Sequence, residues 1–368
     1  MNYNIKKIGD IIEEINIKNI NLTYKNLIGL NIYKEFFPSI ANQNELDLTK
    51  YKIISNNTFA TNLMHVGRDE MLPVALYKDG KNSIISNAYK TFRINKENEE
   101  NIIPEFLMIN LHRKEFDRYC WFISDSSIRG GLEWKRFCKI EVKIPDYKIQ
   151  KELVTVYNSI ISRKEKANKN ISKLKKILKD FFQTAQGEKV QLGNYISENK
   201  ERNEENITKN YLGISIKKKF ITSRLDQESF SSLMKHKIIK KNYFSFITTT
   251  SRNGEKISIA LSDNELAIVS ATYVVFKVKD NKKLKEKYLM LYFKENEFDR
   301  YVRYHSWGSA RETFGWEDMK KVLLHIPDIK KQESIIEIGD IISLNEKLVK
   351  KYDSMILKIC PIFVKGIN

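Results

Sequence analysis

The period of the apolar positions changes twice along this chain. Between residues 149 and 181, Ile149, Leu153, Val156, Ile160, Ala167, Ile171, Leu174, Leu178 and Phe181 recur at spacings of three, four or seven. This is the stripe of a long amphipathic helix with a coiled-coil-like seam. Ile335, Ile338, Ile342, Leu348, Tyr352, Met355, Ile359 and Phe363 draw a second stripe near the C-terminus. Pro-Asp precedes each (145–146 and 327–328), an extended residue followed by a good N-cap, and Gly187 is a good stop for the first. The spacing predicts helices over 146–186 and 328–365. At 1.5 Å per residue each is a rod of ~57 Å. Arg163 and Asn345 interrupt the apolar runs and are placed to set register or pairing. The stretches before each helix alternate with period two instead, as in "KISIAL" (256–261) and "TYVVFKV" (272–278), with Gly, Asn and Asp turns between the runs. A short helix around Glu-Phe-Asp-Arg-Tyr follows, then a loop ending at Trp134 or Trp316, then a strand into Pro-Asp.

The order is the same twice because the chain is a tandem repeat. Residues 115–146 and 297–328 align without a gap at an offset of 182, and 106–150 share 17 identities in 45 positions with 288–332. Phe116-Asp117-Arg118-Tyr119 matches Phe298-Asp299-Arg300-Tyr301, and Ile144-Pro145-Asp146 matches Ile326-Pro327-Asp328. Ser127, Arg129 and Trp134 match Ser309, Arg311 and Trp316. Upstream, "LIGLNI" (27–32) resembles "YLGISI" (211–216), and "ISNAYKTFRI" (85–94) resembles "VSATYVVFKV" (269–278). A unit of half the chain is too long for a solenoid repeat. The expected fold is α+β: two mixed α/β domains in pseudo-twofold tandem, separated by two long helices that pair as an antiparallel coiled coil, each stripe burying the other. The expected boundaries are 1–145, 146–189, 190–327 and 328–368, with one globular domain at each end of the rod.

Charge adds a hint of a partner. Lys and Arg number 64 against 46 Asp and Glu, a net charge of +18. The excess lies mainly on residues 190–327 (+8) and 146–189 (+6). Such a balance suits a polyanion, although solvated lysines of a Lys-rich chain give the same count. No run of some 18 apolar residues suggests a membrane span, the N-terminus lacks an apolar signal core, and the three scattered cysteines suit buried thiols in a reducing cytoplasm.

Catalytic constellations do not emerge from the sequence. It has no Gly-x-Gly for a dinucleotide or phosphate loop and no D/N-P-P-Y/F tetrapeptide. The five histidines lie far apart, without zinc-like spacing. Pro145-Asp146 with Glu198-Asn199-Lys200 imitates a nuclease pattern, but some 40 helical residues intervene and the second Pro-Asp lacks a matching Glu-x-Lys, so Asp146 is read as a cap.

The tandem halves, the Ile-Pro-Asp-x-Lys-x-Gln helix starts (144–150 and 326–332) and the Ser-x-Arg…Trp loops together resemble the specificity subunit of type I restriction-modification systems. The resemblance spans essentially the whole chain. It implies a non-catalytic subunit with two target recognition domains, each reading one part of a split double-stranded DNA sequence, held apart by the coiled coil as a ruler. It implies two methyltransferase subunits and, for cleavage, restriction subunits as partners in the cytoplasm, with no membrane. S-adenosylmethionine, ATP and Mg²⁺ then belong to those partners, and this subunit has no cofactor of its own. A self-contained nuclease or methyltransferase, and a coiled-coil scaffold without DNA, are the other readings.

Base reading needs Arg, Lys, Asn and small polar groups on loops. In the second half, 215–224 and 248–256 offer Lys217, Lys218, Lys219, Arg224, Arg252, Asn253 and Lys256. The matching stretches of the first half offer Tyr33, Lys34, His65 and Arg68. Arg129 and Arg311 are shared and therefore suit phosphate contacts, or internal salt bridges, better than different bases. Shared Trp134 and Trp316 are expected in the core.

Overall fold

Alternation in "KTFRI" (90–94) places Phe92 and Ile94 in the core while Arg93 between them is exposed and pairs with Glu13, the side-chain period of a strand. Sheets built this way fill both halves of the computed structural model, which describes residues 3–42, 45–125, 130–184, 188–223, 233–250, 256–308 and 312–365. The chain divides into two compact units. The first joins Met1–Ala167 to Lys347–Asn368, and the second is Asn168–Glu346.

In the first unit β1 (Tyr3–Lys7) and a turn of helix α1 (Ile8–Ile11) lead to β2 (Ile12–Ile15), β3 (Leu27–Leu30), β4 (Phe36–Pro38) and β5 (Lys52–Ile54). Then come β6 (Thr58–Thr61), α2 (Val66–Asp69), β7 (Val74–Tyr77), β8 (Ser83–Ile85) and β9 (Lys90–Ile94). Helices α3 (Pro104–Leu111), α4 (Lys114–Phe122) and α5 (Trp134–Cys138) precede β10 (Glu141–Pro145). One antiparallel sheet runs β2-β9-β6-β7. A second runs β4-β3-β8-β5 with β3 and β8 parallel, and β1 pairs with β10. The first sheet is covered on both faces. Phe59 and Phe92, opposite each other in register, stack at 4.9 Å beneath the helices. Ala60, one residue on, packs with Ile28, Ile54 and Ile85 of the second sheet. Each such phenylalanine contributes roughly 1.5–3 kcal/mol by leaving water.

The second unit repeats the plan with β11 (Lys189–Gln191), β12 (Ile196–Asn199), β13 (Tyr211–Ile214), β14 (Phe220–Thr222), β15 (Lys237–Lys240), β16 (Phe244–Phe246), β17 (Ile259–Leu261), β18 (Leu266–Val269), β19 (Val274–Val278) and β20 (Leu323–His325). Its sheets run β12-β19-β16-β17 and β14-β13-β18-β15, and β11 pairs with β20. Phe244 and Phe276 reproduce the stacked pair, again at 4.9 Å. Trp134 and Trp316 are half-buried and pack on Phe92 and Phe276 respectively, each at 5.6 Å, as core residues.

The long helices span α6 (Tyr147–Thr184) and Ile329–Lys365. Asp328 caps the latter through Oδ1, which accepts from Lys331 N at 3.0 Å. The glutamine of each Ile-Pro-Asp-x-Lys-x-Gln start is fully buried. Gln150 Nε2 donates to Asn101 O and Pro145 O, and its Oε1 accepts from Ile103 N. Gln332 does the same to Lys283 O, Pro327 O and Lys285 N. One side chain thus ties the helix start to the turn that launches α3, or the matching helix α7 (Glu286–Phe293).

Each unit contains a paired portion of both long helices. In the first, Val154, Tyr157 and Ile160 share a core with Ile356 and Cys360. In the second, Ile171, Leu174, Leu178 and Phe181 share one with Ile335, Ile338 and Ile342. The early part of one helix meets the late part of the other, so the pairing is antiparallel. The two polar interruptions do not pair across it. Asn345 is buried and donates to Ile341 O of its own helix at 2.8 Å, while Arg163 is exposed. The ion pairs between helices are Lys164–Asp353 (2.6 Å) and Lys175–Glu346 (2.8 Å).

Candidate nucleic-acid interface

The hairpin turns 31–35 and 215–219 are built alike. Lys34 N donates to Asn31 O and Lys218 N to Ser215 O, and both lysines adopt left-handed backbone conformations (φ 64° and 56°). That conformation is uncommon for a side-chain-bearing residue. Here it turns the side chain inward. Lys34 Nζ donates to Leu111 O and to Asp117 Oδ1 (2.8 Å), and Lys218 Nζ to Phe293 O (2.6 Å) and Asp299 Oδ1 (2.7 Å). The same carboxylate oxygens accept from Leu72 N and Ile257 N. Burial pulls both lysines below the usual ammonium range, opposed by the facing carboxylates.

This corrects the expectation for Lys34 and Lys218. Both side chains are buried, and their ammonium groups are bonded inside the units rather than presented on the surface. It also explains the repeated Phe-Asp-Arg-Tyr. Its aspartate holds a lysine some 80 residues upstream, and α4 and α8 (Asn296–Tyr304) carry it, while Arg300 of the second copy pairs locally with Glu297 (2.6 Å).

Around the buried lysine the two turns diverge. Tyr33 is 71% exposed, and Glu35 pairs with Lys164 of α6. At the matching positions stand Lys217 and Lys219, both exposed. One rigid turn thus presents Tyr and Glu in one unit and two lysines in the other.

The 62–70 loop, carrying α2, docks on the backbone of the loop after α4. Gly67 N donates to Gly130 O at 2.7 Å, and a Cβ on residue 67 would lie 2.7 Å from Gly130 Cα. Arg68 is exposed and forks onto Asp69 (2.8 and 3.2 Å), whose carboxyl that guanidinium lowers. His65 is half-buried, and its Nδ1 has no hydrogen-bonding partner among the described residues. In the second unit Thr250 N donates to Glu312 O and Phe314 N to Thr248 O, so the matching loop is docked in the same way. Lys256 is exposed. Arg129, Arg224, Arg252, Asn253 and Arg311 lie outside the described residues.

Sequence reasoning missed the aromatics at the ends of α4 and α8. Phe122 and Tyr304 occupy matched positions and are 81% and 77% exposed, and Trp307 is 67% exposed. The signal was the helix period: Phe116 and Cys120 share a face that Phe122 does not. Phe122 borders an open cleft of about 850 Å³, whose walls include Arg68, Arg118, Tyr119 and Trp121. Among the described residues no group of three or more His, Cys, Asp or Glu side chains is arranged to hold a metal ion.

Residues 171–351 match the family described as type I restriction modification DNA specificity domain. The fold of the whole chain is that of an S subunit. The crystal structure of a type I restriction-modification S subunit from M. genitalium superposes with a TM-score of 0.59 at 14% identity, covering 100% of this chain and 96% of that one. A structure concerned with complex assembly and conformational transition of the type I system is similar over 100% and 98% of the two chains (12% identity, TM-score 0.43). The HsdS subunit from Thermoanaerobacter tengcongensis is similar over 100% and 97% (10%, TM-score 0.37). No curated protein matches. The class defined by this fold and this domain is the DNA specificity subunit. Residues 171–351, just under half of the chain, carry a type I restriction modification DNA specificity domain.

Proposed function

We propose that each unit reads one part of a bipartite double-stranded DNA target and that the chain itself catalyses nothing. It serves two methyltransferase subunits, and restriction subunits where present, as the sequence reader of their complex in the cytoplasm. S-adenosylmethionine, ATP and Mg²⁺ act on those partners. The observation that carries this reading is a shared scaffold with divergent tips. The Lys34–Asp117 and Lys218–Asp299 pairs and the Gln150 and Gln332 ties are duplicated bond for bond, while positions 33 and 35 differ from 217 and 219. Two readers for unlike half-sites need that combination. No helix among the described residues is long and apolar enough to cross a membrane.

The test is a swap of residues 1–145 for another reader, followed by mapping of methylated adenines. One half of the methylated motif is expected to change. A change in both halves would defeat the modular reading, and methylation or cleavage by the purified chain alone with S-adenosylmethionine and Mg²⁺ would defeat the non-catalytic one.

A further inference from the structure

The α4 and α8 helices end on rings that the cores do not use. Phe116, Asp117 and Cys120 point inward, as do Phe298, Asp299 and Val302, yet Phe122 and Tyr304 stand in water at the same place in both copies. Most of their neighbours differ: Trp121 faces Arg303 in the alignment, Ile123 faces His305 and Asp125 faces Trp307, while Ser124 and Ser306 agree. A buried position shared by two copies is explained by packing, whereas an exposed aromatic shared by both asks for a common external contact. Beneath each ring the helix is pinned by the buried Asp–Lys pair, so the ring is presented on a rigid support. In the cleft beside Phe122, Glu115 and Asp125 offset Arg68 and Arg118. Among the described lining residues these charges balance, and the exposed ring stands beside them.

We propose that Phe122 and Tyr304 are sequence-tolerant DNA contacts, each ring entering a groove beside the bases its own unit reads and wedging against a base step. This rests on the reading of the chain as a DNA specificity subunit. Two observations favour DNA as the occupant. Tyr304 lies within the DNA specificity domain of residues 171–351. Phe122 adjoins the 62–70 loop, where Gly67 and Arg68 form part of the same cleft wall, so the ring continues the candidate base-reading surface. A wedge also suits a shared position. Partly unstacking a step needs an apolar ring and no particular donor–acceptor pattern, so two units can use it on unlike half-sites.

The experiment uses the full chain with its methyltransferase partners and short duplexes carrying the methylated motif mapped in the source genome, with 2-aminopurine placed at successive steps. The wild type is expected to raise fluorescence at one step in each half-site. F122A should abolish the first signal only and Y304A the second only. Each should weaken binding about tenfold, the scale of a lost base–aromatic contact, and leave the slope of log affinity against log salt unchanged because no phosphate contact is lost. F122W should restore the first signal. Both side chains are exposed, so the variants keep their fold. Variants that bind and report like the wild type would overturn the wedge alone. So would variants that shed the methyltransferase subunits while DNA affinity and fluorescence persist, which would make the rings a protein contact. A wild-type complex without salt-steep DNA binding would overturn the specificity-subunit reading and the wedge together.

Discussion

Lys218 Nζ sits 2.7 Å from Asp299 Oδ1 with both side chains buried, and Lys34 and Asp117 repeat the arrangement at 2.8 Å in the other unit. Breaking one partner of such a pair leaves an uncompensated charge in the interior, which costs about 3–5 kcal/mol. Asp299→Ala is therefore expected to destabilise the second unit by that amount and Asp117→Ala the first. Hydrogen exchange resolved by peptide, with denaturant titration, checks this. Loss of protection spread equally over both units in either variant would contradict it. Replacing Lys and Asp together by apolar residues of similar volume should cost much less than either single change.

The glutamine ties make a second, separable prediction. Gln332→Ala removes partners from Lys283 O, Pro327 O and Lys285 N at once. Each buried group left unsatisfied costs roughly 1–3 kcal/mol, and water entering the gap recovers part of it. Faster exchange at the start of the helix from Ile329 and in the 283–286 turn is the expected readout, with Gln150→Ala mirroring it at 101–104.

Lys217 and Lys219 differ from the lysine between them. Lys217→Ala with Lys219→Ala should weaken DNA binding, relax discrimination in the half-site that the second unit reads, and lower the salt slope by up to about two, because each lysine also carries a charge to the duplex, without changing unfolding. Lys218→Ala should act through stability instead. Salt-titrated binding beside thermal unfolding separates the two, and an unchanged slope in the double variant would remove these lysines from the interface.

His112 supplies a pH dependence. It is half-buried, with Nδ1 2.9 Å from Tyr157 Oη, and desolvation first, then Lys34 and Lys164, push its pKa down from 6.5 to about 3. Because the folded form resists protonation, the unfolded chain binds more protons between those values, so stability is fully present above pH 6.5 and declines as pH falls toward 3. At pH 5 the loss from this group is about 2 kcal/mol, at 1.36 kcal/mol per pH unit. Denaturant midpoints across that range should show the slope, and His112→Gln should flatten it.

Much of the architecture was readable because it rests on periodicity. The long helices, the alternating strands and the tandem order follow from spacing, and the Asp328 cap from residue chemistry. Burial inside a turn was not readable in that way. A lysine between Tyr33 and Glu35, or between Lys217 and Lys219, looks like a surface charge until a left-handed backbone turns it inward. One clue was present: the lysine recurs in both copies while its neighbours change, the mark of scaffold. Asn345, which its spacing places to set register or pairing, donates its amide to Ile341 O within its own helix. Phe122 and Tyr304 close a helix whose shared phenylalanine and aspartate are core, so their exposure does not show in the residue types.

The first unit borrows its last pieces from the far end of the chain. Ile356 and Cys360 close the core that Phe59 and Phe92 begin, and they leave the ribosome after every residue of Asn168–Glu346. Domains emerging during synthesis ordinarily fold in chain order. Here the order is inverted, because the second unit has all its residues before the first can be finished. Throughout translation of the second unit, the half-built first must wait with the apolar stripe of residues 154–160 unclosed. A nascent chain halted just past residue 346 would thus carry a complete second unit behind an unfinished first one, the form most exposed to chaperones and proteases.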